Sequence, residues 1–144
     1  MLADMQEALE IVQGIRKRAV FTLRSAQQKG KFTGTNEDRI FWLKQLSLSQ
    51  PMLLDVELAK SAAYCAAQAC AIDDPEWPAL ASLAKASASE TYLRTAAECI
   101  QIHGGIGFTW DNDTHLWFKR AKSSEVFLGQ PSYHRELLMQ RWGV

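Results

Sequence analysis

The chain has 144 residues, 47% of them hydrophobic, and its 16 basic side chains balance its 16 acidic ones. This length suits one domain with a buried core, and zero net charge argues against a nucleic-acid or anionic-membrane partner. No apolar run is long enough to span a membrane, and the first residues lack the pattern of a secretory signal. We therefore expect a single cytoplasmic domain over residues 1–144.

The first predicted element is a helix over residues 5–23. Acidic residues near its start and basic residues near its end suit the helix dipole. Apolar side chains recur along it at spacings of three and four, as one helical face requires. This stripe consists of Met5, Leu9, Val12, Ile15, Ala19 and Leu23.

The composition of residues 29–38 predicts a loop, with Asn36 as a candidate cap for the next helix. Pro51 is expected to end or kink that helix, because it lacks a backbone donor and clashes with the preceding turn. Beyond it, a seam of mostly small residues favours close packing against another helix. The seam consists of Met52, Val56, Ala59, Ala63, Ala66 and Cys70.

The second half of the chain predicts three more helices. Residues 73–78 stop one helix and start the next, which runs over 78–103 and is weakly polar on nearly all sides. Gly104 and Gly105 are expected to end it in the left-handed conformation. Further helices follow over 113–127 and 132–142, separated by the break at 129–131. Since no segment alternates with period two, the prediction is an all-α bundle.

The three cysteines, Cys65, Cys70 and Cys99, form no CxxC pair and no even set. We expect them to be buried free thiols in a reducing compartment.

Few polar clusters point to catalysis. Residues 111–115 fail as a calcium loop, because Leu116 and Lys122 stand where glycine and glutamate are needed. Capping of the next helix by Asp113 explains them better. A basic cluster over 119–122 offers a phosphate contact, although such a cluster is usually a solvated face. The histidines, which lie on three different elements, are expected to be hydrogen-bonded structural residues: His103, His115 and His134.

Residues 97–108, followed by 116–122, carry a family likeness. This ordered pattern, with its Gln-Ile-His-Gly-Gly-Ile-Gly-Phe core, resembles the C-terminal helical domain of acyl-CoA dehydrogenases. The likeness is strong over 55–138 and looser before that. It implies an up-and-down four-helix bundle with short extra helices.

The resemblance also implies a cofactor and a set of contacts. The family uses FAD to remove hydrogens from the α and β carbons of an acyl-CoA, as part of fatty-acid and lipid metabolism. Gln101, Gly104 and Gly105 would contact the adenosine-diphosphate part of FAD held mainly by a neighbouring subunit. Gln130 and Ser132 would lie near the flavin. The implied partners are further copies of the chain or another acyl-CoA dehydrogenase subunit.

One departure from the family concerns the catalytic base. The family's usual glutamate precedes the glycine at position 129, where this chain has Leu128. An apolar side chain accepts no proton, so no catalytic residue is assigned here. Glu125, one turn earlier, is the only nearby substitute. The family's Arg-x-x-Phe-Gly signature is also missing, with Lys31–Gly34 in its place.

Two functions follow from these observations. The first is the C-terminal part of an FAD-dependent acyl-CoA dehydrogenase that packs subunits, completes an FAD site and is not catalytic by itself. The alternative is a helical scaffold or oligomerisation module that binds no flavin. Acyl-CoA would be a substrate only of a complete enzyme, and no metal site is expected.

Overall fold

The computed structural model describes residues 36–143 and a few isolated earlier positions, all helical, within the predicted first helix. These positions are Gln6, Glu10, Gln13, Gly14, Lys17, Val20 and Phe21. The apolar stripe predicted for that helix and the predicted loop over residues 29–35 lie outside the described residues.

The described part of the chain is all-helical, which confirms the predicted fold class. Its elements are α1 (Asn36–Ala71), α2 (Trp77–His103), a 3₁₀ helix (Gly104–Phe108), α3 (Thr114–Val126) and α4 (Pro131–Trp142). No β-strand occurs over 36–143. None of the described helices is both long and apolar enough to cross a membrane.

Helix α1 differs from its prediction at its start, since residues 36–38, expected in a loop, are already helical. Pro51, expected to end or kink the helix, does not end it. A proline inside a helix costs about 3 kcal/mol. The residues on either side offset this cost by packing, since Ser49 and Val56 are fully buried and Met52 nearly so.

Helix α2 is the centre of the fold. It packs against α1, α3, α4 and the 3₁₀ helix, as its weakly polar surface predicts. The main core cluster joins α1, α2 and α3 through small side chains around one tyrosine. Its buried members are Val56, Ala59, Ala88, Tyr92, Ala96 and Ala121. Four alanines leave little volume between the helices, so α1 and α3 approach α2 closely.

Polar contacts fix the direction of each helix along α2. The Gln45 side chain donates to the Ile102 carbonyl over 3.2 Å, and Asp55 pairs with Arg94, so α1 runs antiparallel to α2. Lys85 donates to the Ser124 carbonyl over 2.7 Å, which places the end of α3 beside the first half of α2.

Helix α4 lies along that same first half of α2. Arg135 pairs with Glu90, and Arg141 donates to the Pro78 carbonyl.

The cysteines are free, as predicted, but only Cys99 is buried. Cys65 and Cys70 are exposed, so the prediction of burial is wrong for both. The predicted seam along α1 is correct through Ala66 and then continues at Ala69 instead of Cys70. A residue three or four positions after Ala66 lies on the same helical face. Contact with α2 buries the one three positions later, Ala69, and leaves Cys70 exposed.

The close approach of α1 and α2 predicts intolerance to added volume. Replacing the fully buried Ala59 by leucine should lower the free energy of unfolding by about 1–3 kcal/mol, because the seam has no room for three more carbons. Urea denaturation followed by circular dichroism measures this. Ala67→Leu, on the exposed side of α1, is the matched control, and equal stability of the two variants would contradict the packing.

Candidate functional site

The first candidate site is the turn after α2. Gly104 has φ of 61° and ψ of −143°, and its N–H donates to the Gln101 carbonyl. The positive φ explains the glycine. The helix therefore ends at the predicted place, but the prediction of a left-handed helical conformation for Gly104 is wrong. The chain goes straight into the 3₁₀ helix, which keeps it close to the end of α2.

The three glycines of this turn have different reasons to be glycine. Gly107 is buried, and a Cβ there would lie 3.0 Å from the Ile100 carbonyl oxygen, so close packing excludes a side chain. Gly105 has an ordinary φ, and a Cβ there would meet nothing within 4 Å. Among the residues that the structure describes, neither strain nor packing requires a glycine at position 105. Its bare backbone faces open space, where an outside group can approach closely.

The segment after the turn is held by a small set of polar contacts. The Thr114 hydroxyl, fully buried, donates to the Gly107 carbonyl over 2.8 Å. The Asn112 side-chain oxygen accepts the Thr114 N–H over 3.0 Å. Asp113 makes no side-chain cap and has helical φ and ψ, so the prediction of Asp113 as the cap is wrong. A capping side chain needs an extended backbone, which Asp113 lacks.

Each histidine bonds a backbone carbonyl, which confirms the predicted structural role. His103 bonds Cys99 over 2.7 Å, His115 bonds Asn112 over 2.8 Å, and His134 bonds Leu128 over 2.9 Å. A carbonyl oxygen only accepts, so each of these ring nitrogens carries the proton. The described residues contain no group of three potential metal ligands.

Trp110, which the sequence analysis did not single out, stands out at this corner. Its ring is 83% exposed, yet two side chains hold it. His115 lies edge-on with the ring centroids 4.8 Å apart, and the Lys119 ammonium lies 5.4 Å from the Trp110 ring centroid. Phe108 and Ile106 are also exposed beside it. The only sequence signal for this group was its spacing: Trp110, His115 and Lys119 follow one another across a turn and the start of a helix.

The second candidate site is the turn between α3 and α4. Leu128 has φ of 63°, which costs a side-chain-bearing residue about 1–2 kcal/mol. Gly129 has φ of 108°, and a Cβ there would lie only 2.8 Å from Tyr133. The His134 ring donates to the Leu128 carbonyl and holds the turn closed. The Leu128 side chain itself is 74% exposed. Backbone strain of this kind is concentrated at functional sites.

A cleft of about 620 Å³ opens beside this turn, between α2, the end of α3 and α4. Apolar side chains form most of its wall. Lys85 lies at its edge and donates to the Ser89 hydroxyl over 2.8 Å. Glu125 does not line this cleft. It pairs with Lys122 and faces a separate groove. The structure therefore gives no support to Glu125 as a substitute base beside Leu128.

The five predicted cofactor contacts fall into two groups, all of them exposed. Gln101, Gly104 and Gly105 lie together at the end of α2. Gln130 and Ser132 lie at the start of α4, a helix that pairs with α2 through Arg135 and Glu90. The five residues thus belong to two different segments of the described chain.

Comparison with known proteins identifies the family. A family model described as "Acyl-CoA dehydrogenase, C-terminal domain" matches residues 47–143, which is most of the chain and nearly all of the described helices. The chain belongs to the acyl-CoA dehydrogenase family. The match includes both candidate sites.

Curated relatives agree with this family. The acyl-CoA dehydrogenase IpdE2 of Mycobacterium tuberculosis is 49% identical over 42% of this chain and 18% of its own length. The acyl-CoA dehydrogenase FadE34 of the same organism is 40% identical over 57% of this chain and 12% of its own length. The probable acyl-CoA dehydrogenase FadE25 of Mycobacterium tuberculosis is 23% identical over 92% of this chain and 32% of its own length. The chain therefore spans about a third or less of these relatives.

A solved structure shares the fold. A chain from work on the electron transferring flavoprotein of Acidaminococcus fermentans and flavin-based electron bifurcation superposes with a TM-score of 0.64. It is 22% identical, over 98% of this chain and 35% of the other.

A second family model, that of type I 3-dehydroquinase, matches residues 1–71. This is less than half of the chain. The described portion of the match, Asn36–Ala71, is one helix whose buried face packs against α2. The structure thus joins this segment to the acyl-CoA dehydrogenase domain.

The strain at Leu128 predicts a stabilising substitution. Leu128→Gly should raise the free energy of unfolding by about 1 kcal/mol, because glycine adopts positive φ without a steric cost and the exposed side chain loses little packing. Thermal unfolding measures the change. Leu128→Ala, which keeps the Cβ, is the control and should not be stabilised. If both variants gained the same stability, the cause would be the loss of the leucine side chain and not the relief of backbone strain.

Cys99 predicts a loss of stability at alkaline pH. Burial, with a smaller contribution from the Glu98 charge, raises the pKa of its thiol from the ordinary 9.0 to about 12. Between these values the folded state binds more protons than the unfolded state, so the free energy of unfolding falls as pH rises from about 9 towards 12. Urea denaturation across this range measures the slope, which Cys99→Ala should reduce. Unchanged slopes in the variant would contradict the assignment.

Proposed function

We propose that this chain is the C-terminal helical part of an FAD-dependent acyl-CoA dehydrogenase, present in a larger assembly. In this proposal residues 1–144 form one domain that supplies helix packing, subunit contacts and one edge of an FAD site. The exposed backbone at Gly105 is the observation that carries it, since none of the described residues accounts for that glycine. The chain spans about a third or less of its curated relatives, so the activity is proposed for the whole assembly and not for this domain alone.

The residues present fit the diphosphate part of FAD. Gly104 and Gly105 offer backbone without side chains, and the exposed Gln101 amide adds a donor and an acceptor beside them. Gln130 and Ser132 fit a separate contact near the flavin. Following the family likeness, we assign the first group to FAD held mainly by a neighbouring subunit and the second group to a position near the flavin. FAD, when bound, supplies the hydride acceptor.

Proton abstraction is assigned to another part of the assembly. Leu128 occupies the strained turn that carries the base in the family, and its apolar side chain accepts no proton. Since Glu125 faces away from this turn, no described carboxylate substitutes for the base. A partner acyl-CoA dehydrogenase subunit with its own base would complete the chemistry on an acyl-CoA thioester.

A second candidate function is a helical scaffold that binds no flavin. One observation favours it: α1 carries several large apolar side chains that are open to solvent. Ile40 is 64% exposed, Leu54 61% and Leu58 58%. Such side chains are typical of a helix that is covered in an assembly. Flavin content of the assembly separates the two functions.

The proposed FAD edge predicts the effect of adding a side chain at Gly105. The chain, expressed in its source cells and purified with the subunits bound to it, should carry FAD. Gly105→Val should weaken FAD retention about tenfold, equivalent to about 1.4 kcal/mol, because the valine fills the space that the diphosphate needs. Flavin absorbance per assembly after dialysis measures retention, and Ala67→Val on exposed α1 is the control.

Two results would count against this function. An assembly without flavin would favour the scaffold. Stoichiometric FAD and acyl-CoA dehydrogenation by the purified chain alone would show that no partner or second base is needed.

A further inference from the structure

We propose that Trp110 is the residue that stacks on the adenine of FAD at the α2 corner. This inference rests on the proposed function of Gly104 and Gly105, and it assigns a residue that the family likeness does not.

Trp110 is oriented before any ligand arrives. The His115 ring contacts its edge, and the Nδ1–H of His115 is fixed by the Asn112 carbonyl. Thr114, buried beneath, ties the same segment to Gly107. A side chain held in this way loses little further conformational entropy on binding. Its ring is nevertheless 83% exposed, so a large apolar surface remains for a partner.

The two faces of the indole are not equivalent. The Lys119 ammonium covers one face at 5.4 Å from the ring centroid, which leaves the opposite face for a flat ligand. Stacking of a nucleobase on an aromatic side chain is favourable for every base, because each presents a π face. The open face of Trp110 therefore suits an adenine ring.

Distance along the chain links Trp110 to the proposed diphosphate contact. The 3₁₀ helix from Gly105 to Phe108 rises about 6 Å, and the two following residues add at most about 7 Å. The Cα atoms of Gly105 and Trp110 are thus within about 13 Å of each other, a separation that one extended adenosine diphosphate can bridge.

Charge supports the same ligand. Lys119 is exposed and contacts the indole, and no carboxylate of the described residues pairs with it. Its cation beside Trp110 is complementary to an anionic diphosphate. An uncharged apolar partner would remove water from the Lys119 ammonium without replacing it, whereas the phosphates of adenosine diphosphate would offset that loss with negative charge.

The test uses the full chain labelled with ¹⁵N, whose tryptophan indole N–H and Gly105 backbone N–H resonances are followed by NMR. Trp110→Leu identifies the Trp110 indole resonance by its loss. Adenosine diphosphate and FAD, each at millimolar concentration, should shift this resonance in a saturable way. The indole resonance of Trp142, on α4, is the internal control and should stay unchanged.

Affinity gives a second, independent readout. Trp110→Leu should weaken adenosine diphosphate binding about tenfold, as measured from the Gly105 resonance, while circular dichroism shows an unchanged fold. Lys119→Met, which removes only the cation, should weaken binding less in high salt than in low salt.

The outcomes separate this proposal from the one on which it rests. A shift at Gly105 with no shift at Trp110 would overturn adenine stacking and leave the FAD edge standing. No response at either resonance would overturn the stacking proposal, and the flavin content of the assembly would then decide the proposed function by itself.

Discussion

Close packing on helix α2 is the constraint on which the rest of the structure depends. α1, α3 and α4 all contact α2, and its contact with α1 and α3 runs largely through alanines. Small side chains bring helix backbones near to one another, and a single central helix then fixes the position of both turns that matter. The corner at Gly104 is the end of α2 itself. The Leu128 turn is held beside the first half of α2 through Lys85 and the ion pair of Glu90 with Arg135.

The two proposed cofactor surfaces lie on different segments of the chain. Gln101, Gly104 and Gly105 lie at the end of α2, whereas Gln130 and Ser132 lie at the start of α4. Under the proposed function, each surface is one edge of an FAD site that another chain or domain completes. The exposed apolar side chains of α1 would then be covered by the same assembly.

The two turns also differ in which residue adopts positive φ and in what surrounds it. At the Gly104 corner, positive φ falls on a glycine and a bare backbone is open to the outside. At the other turn, positive φ falls on Leu128, which bears an apolar side chain. His134 donates to the Leu128 carbonyl and holds that turn. Under the proposed function, this turn keeps the backbone of the family's base position around a residue that accepts no proton.

Sequence alone determined the all-α class, the existence of each described α-helix, most of the buried seam on α1 and the family likeness. These depend on local signals: helical periodicity, alanine content, glycine and proline breaks, and an ordered motif. The sequence did not predict the 3₁₀ helix, and it failed where a competing contact decided the outcome. Contact with α2 buried Ala69 rather than Cys70, and Asn112 rather than Asp113 bonded the first turn of α3. Only the tertiary structure placed Trp110 between His115 and Lys119 and turned Glu125 towards a groove other than the cleft beside Leu128. Such relations join residues on different elements, and their distances follow from helix packing, which no single stretch of sequence encodes.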